Sequence, residues 1–279
     1  MIERAVYSLW TTPMKGQHVG FNTEEALINC FKLSLHYTKQ WFKEVHLVTD
    51  VKGKELVEKH GLKFDNINTD LEEVMKGVYK NHWSLGKIYA CKIQDKPFMH
   101  IDIDVILFKP LPESFLKAEA GFQNYEGENY SFIYLNLIQH CKENIDKVPK
   151  WFIPKYSAYN CGLISFNKLD ILKEWWESSL NHVKLLDDTK YTFTKTDAPP
   201  SLLYEQVFIY YLCKHYKYNV KTLLDYGDAN ERKLDHIPEI LAKRLGYTHL
   251  MAASKRLPEI EKKVKARLIK ENIQLIINK

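Results

Sequence analysis

The sequence lacks the features of disulfide-stabilised, secreted and membrane-spanning proteins. Its five cysteines are an odd number, without a Cys-x-x-Cys pair, and they are widely spread: Cys30, Cys91, Cys141, Cys161 and Cys213. That spacing argues against a disulfide framework and against a structural zinc site. No run approaches the roughly 18 apolar residues of a membrane-spanning helix, and the first residues lack the long apolar stretch of a signal peptide. We therefore expect a cytoplasmic protein.

The chain also has little net charge and no low-complexity linker or internal repeat. A net charge of +5 over 279 residues is too weak to favour a nucleic-acid partner, although it suits a phosphate-bearing ligand. Hydrophobic residues make up 45% of the chain, enough to bury a sizeable core. We expect one domain over residues 1–256, followed by a basic amphipathic helix over residues 257–279.

Short apolar runs alternate with segments of helical period along most of the chain. Strands are predicted at 4–10, 44–50, 161–166 and 219–224, and helices at 22–42, 53–61, 84–94, 169–180 and 201–216. This alternation is typical of an α/β fold, with a mostly parallel central sheet flanked by helices. Two segments break the rhythm, 124–158 and 186–200. Both are polar, aromatic and interrupted by proline, and we expect long surface loops there, either functional or plain connections.

Two aspartates interrupt the apolar run "FMHIDIDVILF", residues 98–108. In a strand, residues two apart face the same side, so Asp102 and Asp104 are expected to point together. Burying an unpaired carboxylate costs several kcal/mol. A proton on one aspartate, a lysine or arginine between them, or a divalent cation would relieve this cost. The cation is favoured, because Mn²⁺ and Mg²⁺ prefer carboxylate oxygens and ligands bind at the carboxyl edge of α/β sheets.

With this Asp-x-Asp pair the chain resembles the GT-A-type glycosyltransferases, in which such a pair holds Mn²⁺ or Mg²⁺ against the diphosphate of a nucleotide-sugar. Three further segments resemble the retaining galactosyltransferase and glycogenin group. "YNCGLISF" at 159–166 resembles its Asn-x-Gly segment, and "EQVF" at 205–208 resembles its acidic-Gln pair. His249 and Lys255 have the spacing of its His-x-x-Gly-x-x-Lys motif.

The chain departs from that group at several of the same positions. Ala252 replaces the motif glycine, Arg256-Leu257 replaces the usual Pro-Trp, and Glu205 replaces the usual aspartate. The first strand, ending "LWTTPMKG", lacks the acidic residue that many members use near the base. The resemblance therefore indicates a divergent member of the GT-A fold.

The resemblance implies a role for each matching residue around the metal and the donor phosphates. Asp102, Asp104 and His249 would hold the metal, and the imidazole favours Mn²⁺ over Mg²⁺. Asp102 would use its second oxygen for the metal or for the ribose hydroxyl. Lys255 would contact the β-phosphate and stabilise the departing nucleotide diphosphate. Lys87 resembles the basic residue that other members hold near the donor.

The resemblance also implies which residues surround the donor sugar and the base. Asn160 and Gly162 would line the sugar, because glycine lets its hydroxyls approach the backbone. Gln206, with Glu205 alongside, would face the sugar opposite the leaving group. The base pocket is expected at the end of the first strand, with these residues: Tyr7, Trp10 and Thr11. Further aromatic residues beside loops are candidates for stacking on a base or sugar: Trp83, Trp151 and Tyr159.

The basic tail offers two interpretations. Ile260, Val264 and Leu268 form one stripe, surrounded by lysines and an arginine. The helix could pack on its own domain with a solvated basic face, or it could bind the inner face of an anionic membrane where a lipid-linked acceptor waits.

The sequence thus favours a metal-dependent hexosyltransferase that uses a nucleotide-sugar, which we expect to be UDP-linked, in glycan or polysaccharide synthesis. If configuration is retained, the departing phosphate oxygen could take the acceptor's proton, and if it is inverted, Glu205 or Asp225 would be the base. One alternative is a sugar nucleotidyltransferase, although "TTPMKGQ" has few of the glycines and cations that such enzymes use around phosphate. A non-catalytic nucleotide- or carbohydrate-binding scaffold is the other.

Overall fold

A seven-stranded sheet lies at the centre of the fold. The computed structural model describes residues 2–14, 18–78, 80–127, 134–192, 199–224, 243 and 245–275. The strands in this part of the chain are β1 Arg4–Leu9, β2 Glu44–Thr49, β3 Asn66–Asn68, β4 Phe98–Ile101, β5 Val105–Leu107, β6 Ala120–Tyr125, β7 Tyr159–Phe166, β8 Val220–Thr222 and β9 Tyr247–His249. The central sheet has the order β3-β2-β1-β4-β7-β6-β8, and β5 and β9 form a separate antiparallel pair.

The N-terminal half of the sheet is parallel, as predicted. Strands β3, β2, β1 and β4 run in one direction, whereas β7 runs antiparallel to both β4 and β6. The helices are α1 Glu24–Trp41, α2 Val51–Lys59, α3 Leu71–Val74, α4 Leu85–Lys92, α5 Glu113–Leu116, α6 Leu135–Glu143, α7 Leu172–Asp188, α8 Pro200–Leu202, α9 Ile209–His215 and α10 Pro258–Lys270. A π-helix, Leu203–Phe208, connects α8 to α9. The predicted α/β fold with a mostly parallel sheet is confirmed.

Alternating side chains of β1 reach the two layers of the core. Val6 and Trp10 pack with α4 on one face of the sheet, and Ala5, Tyr7 and Leu9 pack with α1 on the other. This follows from the two-residue period of a strand. From the face covered by α4, Lys87 reaches Asp102, which follows β4.

Two expectations about irregular segments are corrected by the structure. Residues 124–158 are not one surface loop, because they include α6 and contribute Tyr134 and Trp151 to the core, at 1% and 8% exposure. In the second segment, α7 continues as far as Asp188, and residues 193–198 lie outside the described part of the chain. Tyr134 and Trp151 therefore contribute to core packing.

The C-terminal helix α10 packs on its own domain. Its apolar stripe of Ile260, Val264 and Leu268 is buried, in one core with residues of α1. The hydroxyl of Tyr37, on α1, accepts a hydrogen bond from Arg267 Nε at 2.7 Å and donates one to Glu271 at 2.6 Å. Contact of its basic face with a membrane stays a prediction. Among the residues that the structure describes, no helix has the length and apolarity needed to cross a membrane.

We expect the packing of α10 to stabilise the whole fold. Leu268 is fully buried, whereas its neighbour Ile269 is 62% exposed. Leu268→Ala should lower the free energy of unfolding by about 2–5 kcal/mol, because it leaves a cavity against α1. Ile269→Ala, a matched control, should change it by less than about 0.5 kcal/mol. Urea unfolding measures both values, and similar losses in the two variants would show that α10 is not anchored by this face.

Candidate functional site

The two aspartates lie in a turn at the carboxyl end of β4, and not inside a strand as predicted. Strand β4 ends at Ile101, and the backbone N–H of Val105 donates to the carbonyl of Asp102 at 3.0 Å. Backbone hydrogen bonds join this turn to Gly162 on β7 and to Leu250 after β9, at 3.0 and 2.9 Å. The turn is therefore held by β7 on one side and by the segment after β9 on the other. It lies at the carboxyl end of β4, where ligands bind in α/β folds.

Asp104 is buried and lies between a lysine and a histidine. Lys255 Nζ donates to Asp104 Oδ2 at 2.6 Å, and His249 Nε2 lies 3.4 Å from Asp104 Oδ1. Burial by itself would raise the pKa of Asp104, but the positive charge of Lys255 opposes it, and that pKa is held well below its usual range. Asp104 is therefore ionised at neutral pH.

The imidazole of His249 is oriented by Gln123 on β6. His249 Nδ1 and Gln123 Oε1 are 2.7 Å apart. Because a carbonyl oxygen can only accept, Nδ1 carries the proton of this bond. In a neutral ring, Nε2 then presents a lone pair towards the ionised Asp104. Two acceptors that face each other in this way call for a proton or a cation between them. A carbonyl oxygen that accepts from the other ring nitrogen, as Gln123 Oε1 does, is a common second partner of metal-binding histidines.

Gly162 creates the space that this histidine occupies. A Cβ at position 162 would lie 2.3 Å from His249 Cε1 and 2.8 Å from Gln123 Oε1. Real side chains do not approach so closely, so any larger residue would displace the imidazole. The absence of a side chain at Gly162 therefore lets His249 take this position, whether or not a ligand also approaches the glycine backbone.

Asp102 belongs to a second charged cluster, with Lys87 and Glu205. Lys87 Nζ lies 2.6 and 2.8 Å from the two oxygens of Asp102, 3.1 Å from the carbonyl of Cys161, and in short contact with Glu205 Oε1. Burial opposes the charge on Lys87, but the two carboxylates raise its pKa above the usual value. Burial also raises the pKa of Asp102, against the effect of Lys87.

Glu205 has one paired and one unpaired oxygen. It lies in the π-helix and is 3% exposed, and its Oε2 has no hydrogen-bond partner among the described residues. Burial raises the pKa of Glu205 to about 7, although Lys87 acts in the opposite direction. Single π-helical turns inside helices are frequent at functional sites, and a buried carboxylate oxygen without a donor indicates a place for a hydrogen-bonding ligand.

Asn160 and Gln206 lie near this cluster, but their side chains bond to the protein. Asn160 donates to Glu126 Oε1 at 3.0 Å and accepts from the backbone N–H of Gly162 at 3.1 Å. Gln206 is half-buried, and its amide oxygen accepts from the Tyr134 hydroxyl at 3.2 Å. Their predicted contacts with a sugar stay predictions.

The structure corrects part of the predicted base pocket. Tyr7 is fully buried, and its hydroxyl bonds to Ser34 and Thr38 of α1 at 2.8 and 2.7 Å, so it belongs to the core. Trp10 is 7% exposed and also packs in the core. Thr11 lies at the carboxyl end of β1 and is half-buried, where its N–H and hydroxyl donate to the Asp50 carboxylate.

The aromatic residues proposed for stacking divide in the same way. Trp151 is a core residue, and Tyr159 stacks on Phe122 with ring centroids 4.4 Å apart. Trp83, by contrast, is 41% exposed. It lies two residues before α4 begins and four residues before Lys87, and its predicted stacking on a ligand stays a prediction.

Three residues that support the site were missed in the sequence. Gln123 orients His249, Glu126 accepts from Asn160, and His100 bonds to Ser8 Oγ at 2.9 Å, with its Nδ1 3.8 Å from Asp102. Burial, and then Lys87, lower the pKa of His100 below its usual value, so this ring is neutral. Each of these residues is a polar side chain in or beside an apolar strand, and that pattern is the signal that could have found them.

The side chains present fit a divalent cation. Asp102, Asp104 and His249 each offer a ligand atom, and these atoms lie within 4.8 Å of one another. Two carboxylates and one imidazole suit Mn²⁺, and the carboxylates also suit Mg²⁺. The orientation of His249 by Gln123 and Gly162 supports this fit.

Solved structures similar to the chain include transferases of two kinds, all at low identity. Mouse xyloside xylosyltransferase 1 is 14% identical, with 80% of this chain and 85% of that chain covered and a TM-score of 0.41. The inositol-1-phosphate CTP transferase of T. maritima is 13% identical, with 98% of each chain covered and a TM-score of 0.43. A glycosyltransferase involved in the glycosylation of the major capsid of PBCV-1 is 14% identical, with 94% and 98% covered and a TM-score of 0.42.

Similarity at these values carries no information about which reaction this chain performs. No curated protein sequence matches it. A family model does match, over residues 3–275, and its description is "Family of unknown function (DUF6734)". Because that match spans nearly the whole sequence, the chain belongs to the DUF6734 family.

Proposed function

We propose that the protein is a metal-dependent glycosyltransferase of the GT-A type, which moves a hexose from a UDP-linked donor to an acceptor hydroxyl. The observation that carries this proposal is the convergence of Asp102, Asp104 and His249, with a lysine beside each aspartate. A glycan or a lipid-linked carbohydrate is the proposed acceptor.

The charges of the site suit a diphosphate once a cation is bound. Lys87 and Lys255 balance Asp102 and Asp104, and Glu205 adds one negative charge when it is ionised. A divalent cation would then still leave a surplus positive charge for an anionic ligand. Mn²⁺ or Mg²⁺ held by Asp102, Asp104 and His249 would act as a Lewis acid on the diphosphate. Lys255 contacts Asp104 and could stabilise the negative charge of the departing nucleotide diphosphate.

Glu205 is the candidate partner for a donor-sugar hydroxyl. Its unpaired Oε2 is buried within the same charged cluster as Asp102, and a hydroxyl is a suitable donor for it. Lys87 fixes the other oxygen, and therefore positions the carboxylate. For an inverting reaction Glu205 is the base candidate in the described part of the chain, because Asp225 lies outside it.

Removing the ionised aspartate should abolish metal binding and turnover together. For Asp104→Asn we expect Mn²⁺ affinity to fall by more than about 100-fold, since even supporting residues of metal sites cost roughly 10–100-fold. Isothermal titration with Mn²⁺, and release of UDP from UDP-hexoses, measure the two effects. Asp146→Asn, on an exposed turn, is the control and should match the wild type.

The same experiment distinguishes the alternatives. If the wild type binds Mn²⁺ and instead consumes a nucleoside triphosphate with a sugar phosphate, the protein is a nucleotidyltransferase. If it binds UDP-sugars without releasing UDP, with several acceptors present, it is a binding scaffold. Either result contradicts the proposed transfer reaction.

Enlarging Gly162 should weaken metal binding through His249. We expect Gly162→Ala to lower Mn²⁺ affinity roughly 10- to 100-fold, because its Cβ would displace the imidazole. In a His249→Ala background, the same substitution should change Mn²⁺ affinity little, since the clashing ring is gone. A full additional loss in that background would show that Gly162 acts on the site by another route.

The raised pKa of Glu205 should make stability fall as pH rises. Its pKa is 4.5 when exposed and about 7 in the fold, so the folded state binds the extra proton between these values, and the free energy of unfolding decreases across that window. From pH 5 to pH 8 this loss should be roughly 2–3 kcal/mol, at about 1.4 kcal/mol per unit.

Comparison with Glu205→Gln isolates this contribution. Because a neutral amide cannot ionise, the stability of Glu205→Gln relative to the wild type should increase by that amount between pH 5 and pH 8, as measured by urea unfolding. Glu55→Gln, on the exposed face of α2, should show no such trend. A difference between wild type and Glu205→Gln that is constant with pH would contradict the raised pKa.

A further inference from the structure

The two lysines that neutralise the aspartates are held in different ways. Lys87 is 6% exposed and its ammonium has acceptors on Asp102, Glu205 and Cys161. An ammonium has three donors, so all of them are used, and Lys87 is a fixed counter-charge.

Lys255 is held by a single acceptor. Its ammonium donates to Asp104 Oδ2 at 2.6 Å, and in the described part of the chain no other hydrogen bond holds it. The Nζ atom also lies 5.4 Å from the centroid of the Phe21 ring. Two of its three donors therefore have no acceptor among the described residues and are available to a ligand.

The backbone that carries Lys255 is anchored. Arg256 Nε donates to the carbonyl of Gly20 at 3.0 Å, and Asn22 donates to the carbonyl of Arg256 at 2.8 Å. The stem of Lys255 passes over Gly20, where a Cβ would be 3.3 Å from its Cε. The ammonium can therefore change partner by side-chain rotation, while the segment that bears it stays in place.

Asp104 is the point at which a lysine and a divalent cation compete. Lys255 occupies Oδ2, and His249 Nε2 faces Oδ1 at 3.4 Å. A cation bound between Asp104 and His249 would neutralise the carboxylate and repel the ammonium beside it. The ammonium would then need another anionic acceptor, and a diphosphate bound to the same cation supplies one.

We infer that Lys255 acts as an exchangeable stand-in for the metal on Asp104, and that the cation displaces it towards the phosphates of the nucleotide. This inference rests on the proposed function and concerns the regulation of that site. As a consequence, the cation and the nucleotide diphosphate bind cooperatively. The cation releases Lys255 to the diphosphate, and the diphosphate, by binding Lys255, leaves Asp104 to the cation. Such coupling is reciprocal, and factors of roughly 5 to 150 are typical.

The test is the substitution Lys255→Met, which removes the positive charge and keeps an apolar side chain. Without nucleotide it should bind Mn²⁺ more tightly than the wild type, by roughly 5- to 150-fold, since no ammonium competes for Asp104. With saturating Mn²⁺ it should bind UDP more weakly. Isothermal titration and Mn²⁺ electron paramagnetic resonance give both affinities without any turnover.

Two further variants complete the design. Lys262→Met, on the exposed face of α10, removes the same charge at a distance and should leave both affinities unchanged. Lys255→Arg keeps the positive charge, and its Mn²⁺ affinity should stay within a few-fold of the wild type. Circular dichroism and thermal unfolding of Lys255→Met establish that the variant is folded.

The outcomes separate the two proposals. If the wild type binds both Mn²⁺ and UDP, but folded Lys255→Met binds Mn²⁺ no more tightly than the wild type, the lysine inference is overturned and the proposed function is not. If the wild type binds neither ligand, the proposed function itself is overturned. Opposite shifts in the two affinities, confined to Lys255→Met, would support the exchange.

Discussion

The site depends on the approach of two aspartates within a largely apolar sheet edge. The buried carboxylate of Asp104 would destabilise the fold if it were alone, since an unpaired buried charge costs several kcal/mol. Asp102, which is half-buried, adds a like charge close to it. Lys87 and Lys255 supply the opposite charges, one beneath Asp102 and one beside Asp104. The helix that carries Lys87 packs on β1, and the segment that carries Lys255 bonds to the loop after β1. The charge pairs thus hold the turn after β4 in place through two separate parts of the fold.

Backbone geometry determines which atoms this turn can present. Strand β7 lies beside β4 and brings Gly162 next to Asp102, and the missing side chain leaves room for His249. The pairing of β5 with β9 places Val105 opposite His249, so that the histidine lies beside the turn that carries the aspartates. The convergence of Asp102 and Asp104 with His249, which is distant from them in sequence, therefore follows from two strand pairings and one glycine.

The sequence predicted the alternation of strands and helices and the residues that converge, but it predicted their local geometry less well. Periodicity identified α1 and β2, because their apolar patterns are long and regular. It placed Asp102 and Asp104 inside a strand, since nothing in an apolar run marks where pairing ends. The resemblance to GT-A-type glycosyltransferases, in turn, implied a ligand pocket at Tyr7. Which face of β1 packs on α1 depends on tertiary packing, and a single sequence contains no direct record of it.

Among the described residues, Glu205 has one oxygen without a donor and Lys255 has a single acceptor, and together they indicate the polarity of a ligand. When Glu205 is ionised, its buried oxygen without a donor is unfavourable by about 1–3 kcal/mol, and a hydroxyl relieves this, whereas an ionised phosphate oxygen does not, because both oxygens only accept. An ammonium with unused donors needs an acceptor, and a phosphate oxygen is one. Glu205 is close to Asp102, and Lys255 is close to Asp104. A ligand across the two aspartates would therefore place hydroxyls towards Glu205 and its anionic group towards Lys255, and a nucleotide-sugar has this distribution of groups.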